Sequence, residues 1–263
     1  MNSKILFSPI ADVNIIPLVD IESPEDLKKS QLPDVLPRLP LRKSVFFPDT
    51  VLPVPVRREK SLKLLEEAYR SNKLVGVVTQ RDSKIEDPGK NDIFEVGTLG
   101  RVVKLIDIPG GPMTAVIQGV RRFTVNTVDI TDPYMMGSVS YLPEVFPAPG
   151  EKQMAGISKG IKNAAMQVIK HTHHLPQEAS IAIKDIEDDS FLINFVATSI
   201  EIENPLDKIE LLRCDELKER GLHLLKLLEK QIEILKIRQD IQDKVKSEID
   251  QQQREYYLNN QLK

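Results

Sequence analysis

The sequence predicts an α+β fold: a small, mostly antiparallel β-barrel or sheet, then a helical bundle, then one very long C-terminal α-helix. The first half of the chain combines short alternating apolar runs with turn signals and has room for one helix only. After the proline-rich stretch 143–150 the apolar period becomes helical, and no proline interrupts it beyond residue 215. Strands followed by helices are typical of α+β proteins.

The last segment, residues 214–263, is the predicted long helix. Its first half carries an apolar stripe that predicts packing against the body: Leu217, Leu224, Leu228, Ile232 and Leu235. A second stripe follows at three- and four-residue steps, with a further member eleven residues on: Ile234, Ile237, Ile241, Val245 and Tyr256. An eleven-residue repeat suits a nearly straight helix better than a left-handed coiled coil.

The length of this helix predicts a partner. At 1.5 Å per residue it would extend roughly 70 Å, which exceeds the width of a compact domain, so it must leave the body and meet something else. The sequence stops at Lys263 without a residue that would close the helix. We therefore expect the chain to be the front piece of a longer protein.

The N-terminal half divides into an arm and a β domain. Residues 1–36 alternate prolines with acids and are predicted to be an extended arm. The sequence does not indicate the function of this arm. Residues 37–143 are predicted to be a β domain with about six strands and one helix at 58–70. The two prolines within 51–56 predict that this strand is either an edge strand or a bulged one. The predicted strand segments are 39–41 with 45–47, 51–56, 74–79, 96–108, 113–118, 121–128 and 134–142.

The C-terminal half is predicted to be helical. Residues 144–150 form a linker, and 151–213 form a helical subdomain with helices at 152–170, 180–185 and 189–201. Asn204 followed by Pro205 predicts the start of a short helix that ends near Arg213, and Asp215 is the predicted cap of the long helix.

Composition excludes several classes of function. The chain has 263 residues, is 41% hydrophobic and 29% charged, and carries a net charge of −3, which is ordinary for a soluble globular protein and makes nucleic acid an unlikely main partner. No apolar run approaches the ~18 residues of a membrane span. The single cysteine, Cys214, excludes an intrachain disulfide and fits a reducing cytosol.

Motifs for catalysis are missing. The sequence has no phosphate-binding loop, no Gly-x-Ser-x-Gly elbow and no His-Glu-x-x-His helix. Cys214 beside a helix start is interpreted as structural, because a catalytic thiol needs a positioned base. The alternating histidines His171, His173 and His174 could bind zinc or nickel, but they lack further ligands and are interpreted as solvated residues at a helix end.

Basic and aromatic residues give the one candidate contact surface. Arg57 and Arg58 lie near Phe46 and Phe47 in the predicted β domain. One interpretation is ordinary surface ion pairing of the arginines. The other is an exposed apolar patch with a positive rim, suited to binding unfolded polypeptide. We take these four residues as the candidate substrate contacts.

Several segments resemble one known family. The residues that carry the resemblance are Leu39-Pro40-Leu41-Arg42 to Pro48, 51–61, Glu95-Val96-Gly97-Thr98-Leu99, 116–122, and Gln253-Arg254-Glu255-Tyr256-Tyr257-Leu258 through Lys263. From about residue 37 to the end, the chain resembles the N-terminal region of Lon proteases and stops before their ATPase module. The resemblance implies a PUA-like β part, a helical part and one long helix.

The resemblance also implies a function. Lon proteins are ATP-dependent serine proteases of the AAA+ class that use a Ser-Lys dyad, assemble as hexamers, and act in protein quality control. The dyad and the ATP and magnesium sites would lie beyond this chain, so no catalytic, cofactor or metal residue is predicted within it. The expected function is substrate recognition and assembly in a cytoplasmic protease that degrades misfolded and short-lived regulatory proteins.

The expected partners are unfolded or tagged proteins and further copies of the same chain. Tyr256, Tyr257 and Leu258 are the candidate contacts near the ring axis or with a neighbouring subunit. Two alternatives stay open at this point: a stand-alone PUA-like module that recruits protein or RNA, and a purely structural coiled-coil spacer.

Overall fold

The computed structural model describes the backbone of residues 32–107, 110–172, 178–202 and 204–261, and their side chains outside 178–180 and 254–261. The strands are β1 (Val35–Leu41), β2 (Val51–Val56), β3 (Leu74–Gln80), β4 (Ile93–Ile106), β5 (Met113–Val125) and β6 (Met136–Tyr141). The α-helices are α1 (Glu59–Arg70), α2 (Lys152–His171), α3 (Glu178–Asp185), α4 (Asp189–Ser199), α5 (Pro205–Arg213) and α6 (Leu217–Gln261).

The six strands form one sheet that closes on itself. The strand order is β2-β5-β4-β3-β1-β6, and β6 also pairs with β5, which closes a ring of five strands and leaves β2 on the outside of β5. Only the β1–β3 pairing is parallel among the strand pairs of the described chain. The predicted α+β fold, with a mostly antiparallel sheet and a very long helix, is confirmed. Strand β2, with its two prolines, is indeed an edge strand.

One predicted break in the sheet is wrong. The sequence suggested two strands, 113–118 and 121–128, but β5 runs without interruption from Met113 to Val125. Gly119 stays in the strand because the chain of residues 47–50 crosses closely over it: a Cβ at Gly119 would lie 2.3 Å from the carbonyl oxygen of Phe47. The Gly119 amide donates to the Thr50 carbonyl at 2.8 Å. This glycine therefore allows a close backbone crossing and does not end a strand.

Within the described ranges, the buried apolar residues form three clusters. One joins β1, β2, β3 and α1, and a second includes Leu36, Leu99 and Phe123 within the ring of strands. The largest unites α2, α4, α5 and α6 with Phe47 and Phe94 of the β part. The helices therefore share their core with the sheet, across the linker that the sequence predicted at 144–150.

A buried charged network holds the start of the long helix. Arg122 of β5 and Arg220 of α6 both pair with the carboxylate of Glu144, at 3.0 and 2.7 Å. Arg122 also pairs with Asp215 at 3.2 Å, and both arginines donate to the carbonyl of Cys214. Buried arginines need such complete partnering because an unpaired buried charge is costly.

Helix α6 follows its predicted stripe. Leu217, Leu224, Leu228 and Ile232 are buried against the other helices, and Leu235 is partly buried. The start of α5 is also as predicted: Asn204 accepts a hydrogen bond from the amide of Leu206, and Pro205 is the first helical residue. The 45 residues of α6 span about 68 Å, and residues 240–253 are all exposed.

Candidate functional site

The predicted exposed aromatic pair is wrong. Phe46 is 3% exposed and Phe47 is fully buried. Phe46 packs in the cluster beneath α1, and Phe47 packs against the helices. Their segment is fixed by side-chain hydrogen bonds from Thr98 to the Phe46 carbonyl and from Thr50 to the Phe47 carbonyl. Two adjacent residues of an irregular segment can enter two different cores, which the sequence pattern does not reveal.

The two predicted arginines lie in different surroundings. Arg57 is exposed, whereas Arg58 is half-buried. The Arg58 guanidinium donates to Oε1 of Gln80 at 2.6 Å and to the carbonyl of Pro40 at 3.4 Å. Burial, and then the neighbouring Arg42, lower the pKa of Arg58 from its ordinary value. Of the four candidate substrate contacts, therefore, only the two arginines have side chains at the surface.

Arg58 lines a small cavity at the start of α1. The cavity measures about 30 Å³, and three basic side chains contribute to its wall: Arg38, Arg58 and Lys60. Arg38 lies on β1 and is fully buried. Its Nη2 donates to the carbonyl of Ser138 at 2.9 Å, while its Nε and Nη1 have no hydrogen-bond partner among the described residues.

Arg38 is not among the residues that the sequence predicted for a site. The residue occupies an inward position of β1, in register with the buried Leu36 two residues earlier. The sequence signal that could have identified Arg38 is its position in the strand. An arginine at an inward position of a strand is a buried charged residue, and such residues are rare unless they are paired.

An exposed apolar stripe lies on the projecting part of α6. It consists of Ile237, Ile241, Val245 and Ile249, at intervals of four residues, and each side chain is about half exposed. Residues at that spacing lie on one helix face. The candidate contacts Tyr256, Tyr257 and Leu258 lie in the backbone of the same helix, but their side chains lie outside the described residues.

Phe146 is an exposed aromatic residue that follows a backbone bridge. It is 62% exposed. The preceding residue, Val145, forms a parallel bridge with Glu216: its amide donates to the Asp215 carbonyl, and its carbonyl accepts from the Leu217 amide, both at 3.0 Å. The backbone next to Phe146 is therefore held near the start of α6.

The other candidate groups do not form a reactive site within the described residues. Nδ1 of His171 lies 2.9 Å from Oε1 of Gln239, and His173 and His174 lie outside the described residues. In the part of the chain that the structure describes, no three His, Cys, Asp or Glu residues could hold a metal ion. Burial raises the pKa of the Cys214 thiol, which disfavours the reactive thiolate. No helix in the described ranges is both long enough and apolar enough to cross a membrane.

Comparisons with known proteins identify the family. Residues 35–230 match the ATP-dependent protease La (LON) substrate-binding domain. The Lon protease of Flavobacterium johnsoniae is 39% identical over 253 residues, which is 96% of this chain and 31% of that protein. The Lon protease of Cytophaga hutchinsonii is 39% identical over 95% of this chain and 31% of its own length. This chain thus spans about a third of the relatives that it matches.

Solved structures agree on the fold. The N-terminal domain of a Lon protease from Mycobacterium avium complex superposes with a TM-score of 0.58 at 17% identity, covering 76% of this chain and 98% of that domain. A Lon N-terminal domain protein from Xanthomonas campestris gives a TM-score of 0.50 at 17% identity over 73% of this chain and 97% of its own. The resemblance noted in the sequence is confirmed, and the chain belongs to the LON substrate-binding domain family.

Proposed function

We propose that this chain is the substrate-recognition and assembly region of a cytoplasmic, ATP-dependent Lon-type serine protease. The parent protease would degrade misfolded and short-lived regulatory proteins and would work as a homo-hexamer. Its Ser-Lys dyad and its ATP and Mg²⁺ sites would lie outside this chain. Within the chain, residues 37–143 would be the recognition domain, and 151–213 would be the helical subdomain that supports the long helix.

The observation that carries this proposal is the exposed stripe on α6. Ile237, Ile241, Val245 and Ile249 occupy one face of a helix whose residues 240–253 are all exposed. An apolar face of this kind is a common mark of a protein contact surface. A second copy of the chain is the natural occupant, because identical long helices can align their stripes. Tyr256, Tyr257 and Leu258 would extend this contact towards the ring axis.

Substrate recognition is assigned to the β domain. With Phe46 and Phe47 in the core, Arg57 and Arg58 remain from the first set of candidates, and the exposed Phe146, just after the β domain, is added as an apolar candidate. Each contact would be weak and tolerant of sequence. Six linked copies would nevertheless give useful avidity, because linked sites raise affinity without new contacts.

Recognition is tested by titrating the chain into a fluorescent, permanently unfolded protein and following anisotropy, with the folded form as control. We expect binding of the unfolded form only, with a dissociation constant of about tens of micromolar. Recognition by this chain would be contradicted if it bound both forms equally or bound neither form.

Assembly is tested by sedimentation velocity on a matched pair of double variants. Ile241→Ser with Val245→Ser removes two members of the stripe, and Asp240→Ser with Lys244→Ser changes two exposed polar neighbours without altering net charge. We expect only the first pair to reduce self-association. If both pairs sediment like the unaltered chain at every concentration, the stripe is not an assembly surface.

A further inference from the structure

A row of apolar side chains crosses the outer face of the sheet at the start of β1 and β6. Met136 of β6 pairs with Pro37 of β1 on one side. On its other side Met136 forms a bridge with Ile130, and the two residues exchange backbone hydrogen bonds of 2.9 and 3.2 Å. Residues that pair across neighbouring strands point to the same face of a sheet, and so does Val35, two residues before Pro37. We call Val35, Pro37, Ile130 and Met136 the outer patch.

The outer patch is exposed in the part of the chain that the structure describes. The exposed fraction is 51% for Val35 and 48% for Ile130, and Pro37 and Met136 are partly exposed. Leu36, between Val35 and Pro37, is fully buried, as the alternation of a strand requires. Single exposed apolar residues are ordinary, but contiguous ones indicate a contact surface.

The charges in the segments that carry the outer patch disfavour an acidic partner. Residues 32–37 and 126–141 contain three charged residues, and all three are acidic: Asp34, Asp129 and Asp132. Each of them is exposed. An acidic partner would therefore meet charges of the same sign, whereas an uncharged apolar segment can cover the patch without such repulsion.

The residues just before β1 are fixed beside the outer patch. The carbonyl of Pro33 accepts a hydrogen bond from the Tyr141 hydroxyl, and the carbonyl of Asp34 accepts one from the Val139 amide, both at 2.8 Å. Leu32 packs against the cluster within the ring of strands. Residues 1–31, which lie outside the described residues, are therefore attached no more than about 17 Å from residue 37, at about 3.3 Å per residue.

One stretch of residues 1–31 matches the outer patch in chemistry and in reach. Residues 13–19, Val-Asn-Ile-Ile-Pro-Leu-Val, are apolar apart from one asparagine and carry no charge. The twelve residues 20–31 connect this stretch to Leu32 and can span up to about 40 Å when extended, which is enough to return to the patch. A tethered segment has an effective concentration on the order of millimolar, which favours it over a second copy at micromolar concentration.

We propose that residues 13–19 dock on the outer patch of their own chain and shield it from other proteins. Docking would cover the exposed parts of Val35 and Ile130 with apolar side chains, which is favourable in proportion to the apolar area removed from water. This docking does not depend on the proposed recognition and assembly functions, because it uses neither the two candidate arginines nor the stripe on α6.

Photo-cross-linking in the whole chain tests the docking. Benzoylphenylalanine replaces Ile16, and mass spectrometry identifies the peptides to which it attaches after irradiation. We expect attachment to the peptides that contain Met136, Ile130 or Val35. Mixing unlabelled and isotopically labelled chains before irradiation separates attachment within one chain from attachment between chains, because only the latter joins peptides of different isotope composition. We expect attachment within one chain.

Variants locate the docking surface. Val35→Ser with Ile130→Ser removes the most exposed apolar side chains of the outer patch and should lose most of the attachment to the peptide with Met136. Ile181→Ser changes a residue of α3 that is 61% exposed and should retain it. Benzoylphenylalanine in place of Ser3, outside residues 13–19, should attach to the patch several-fold less. Melting curves verify that each variant folds.

Three results would overturn the docking. The first is attachment between chains only, which would make the outer patch an interface between copies. The second is attachment that is absent or falls only outside the patch. The third is attachment to the patch that persists unchanged in the Val35→Ser, Ile130→Ser variant. The titration with unfolded protein and the sedimentation assay test the proposed functions separately, so failure of the docking leaves them standing.

Discussion

Arg122 and Arg220 lie on different elements, yet they share the carboxylate of Glu144 and the carbonyl of Cys214. Both arginines are buried almost completely. Burial, and then the positive charge of Arg220, lower the pKa of Arg122. The shared carboxylate therefore offsets a repulsion between two buried cations at the point where the sheet meets the long helix.

Replacing Glu144 with glutamine should destabilise the protein strongly. The amide would leave two buried arginines without their common counter-charge, and breaking a buried ion pair costs about 3–5 kcal/mol. Urea unfolding of Glu144→Gln measures the loss, with Glu210→Gln, an exposed carboxylate on α5, as control. A loss below about 1 kcal/mol would mean that water replaces the carboxylate without much cost.

The buried phenylalanine should be needed for stability. Phe47→Ala removes a fully buried ring from the core shared by sheet and helices and should cost about 3–5 kcal/mol. Phe146→Ala removes an exposed ring and should change stability by less than about 0.5 kcal/mol. Thermal and urea unfolding compare the pair. If Phe47→Ala kept full stability, the ring would not be packed as described.

A glycine pair tests the backbone crossing over β5. Gly119→Ala would place a Cβ against the Phe47 carbonyl and should destabilise the protein by more than about 2 kcal/mol. Gly156→Ala, within α2, has nothing within 4 Å of the added Cβ and should stabilise it by about 0.5–1 kcal/mol. Opposite signs in urea unfolding are the expected result, and equal effects would contradict the crossing.

Lys208 should make stability rise with pH in alkaline solution. Burial lowers its pKa to about 8, with Glu201 acting in the opposite direction, while the unfolded chain keeps the ordinary value of about 10.4. Below pH 8 both states hold the proton, so the folded state bears the cost of a buried charge. Between these two pKa values the unfolded state binds more protons, so stability increases with pH.

The measurement compares the chain with Lys208→Met. From pH 7.5 to 9.5, the unaltered chain should gain about 2 kcal/mol relative to the variant. Other titrating groups cancel in this difference. Lys226→Met, which changes an exposed lysine, should follow the pH dependence of the unaltered chain. A flat difference for Lys208→Met would show that its ammonium is solvated.

Apolar periodicity, alternating in the strands and three- to four-residue in the helices, predicted most of the fold, because buried faces repeat along an element. Leu217, Leu224 and Leu228 are buried as their spacing required. The irregular segment with Phe46 and Phe47 has no period, and its burial depends on residues from β4 and α4 that are remote in sequence. For the same reason the cavity could not be predicted: it joins Arg38 of β1 to the start of α1 through tertiary contacts alone.

Because α6 is continuous, its length determines both how far its tip lies from the body and which way the side chains at the tip face. Each residue added to a continuous helix advances its tip by about 1.5 Å and turns it by about 100°. Insertion of seven residues after Gln239 would lengthen the projection by about 10 Å and leave its orientation nearly unchanged, whereas five residues would turn every later side chain to about the opposite side. Whatever binds the far end of α6 therefore depends on the phase of this helix as well as on its length.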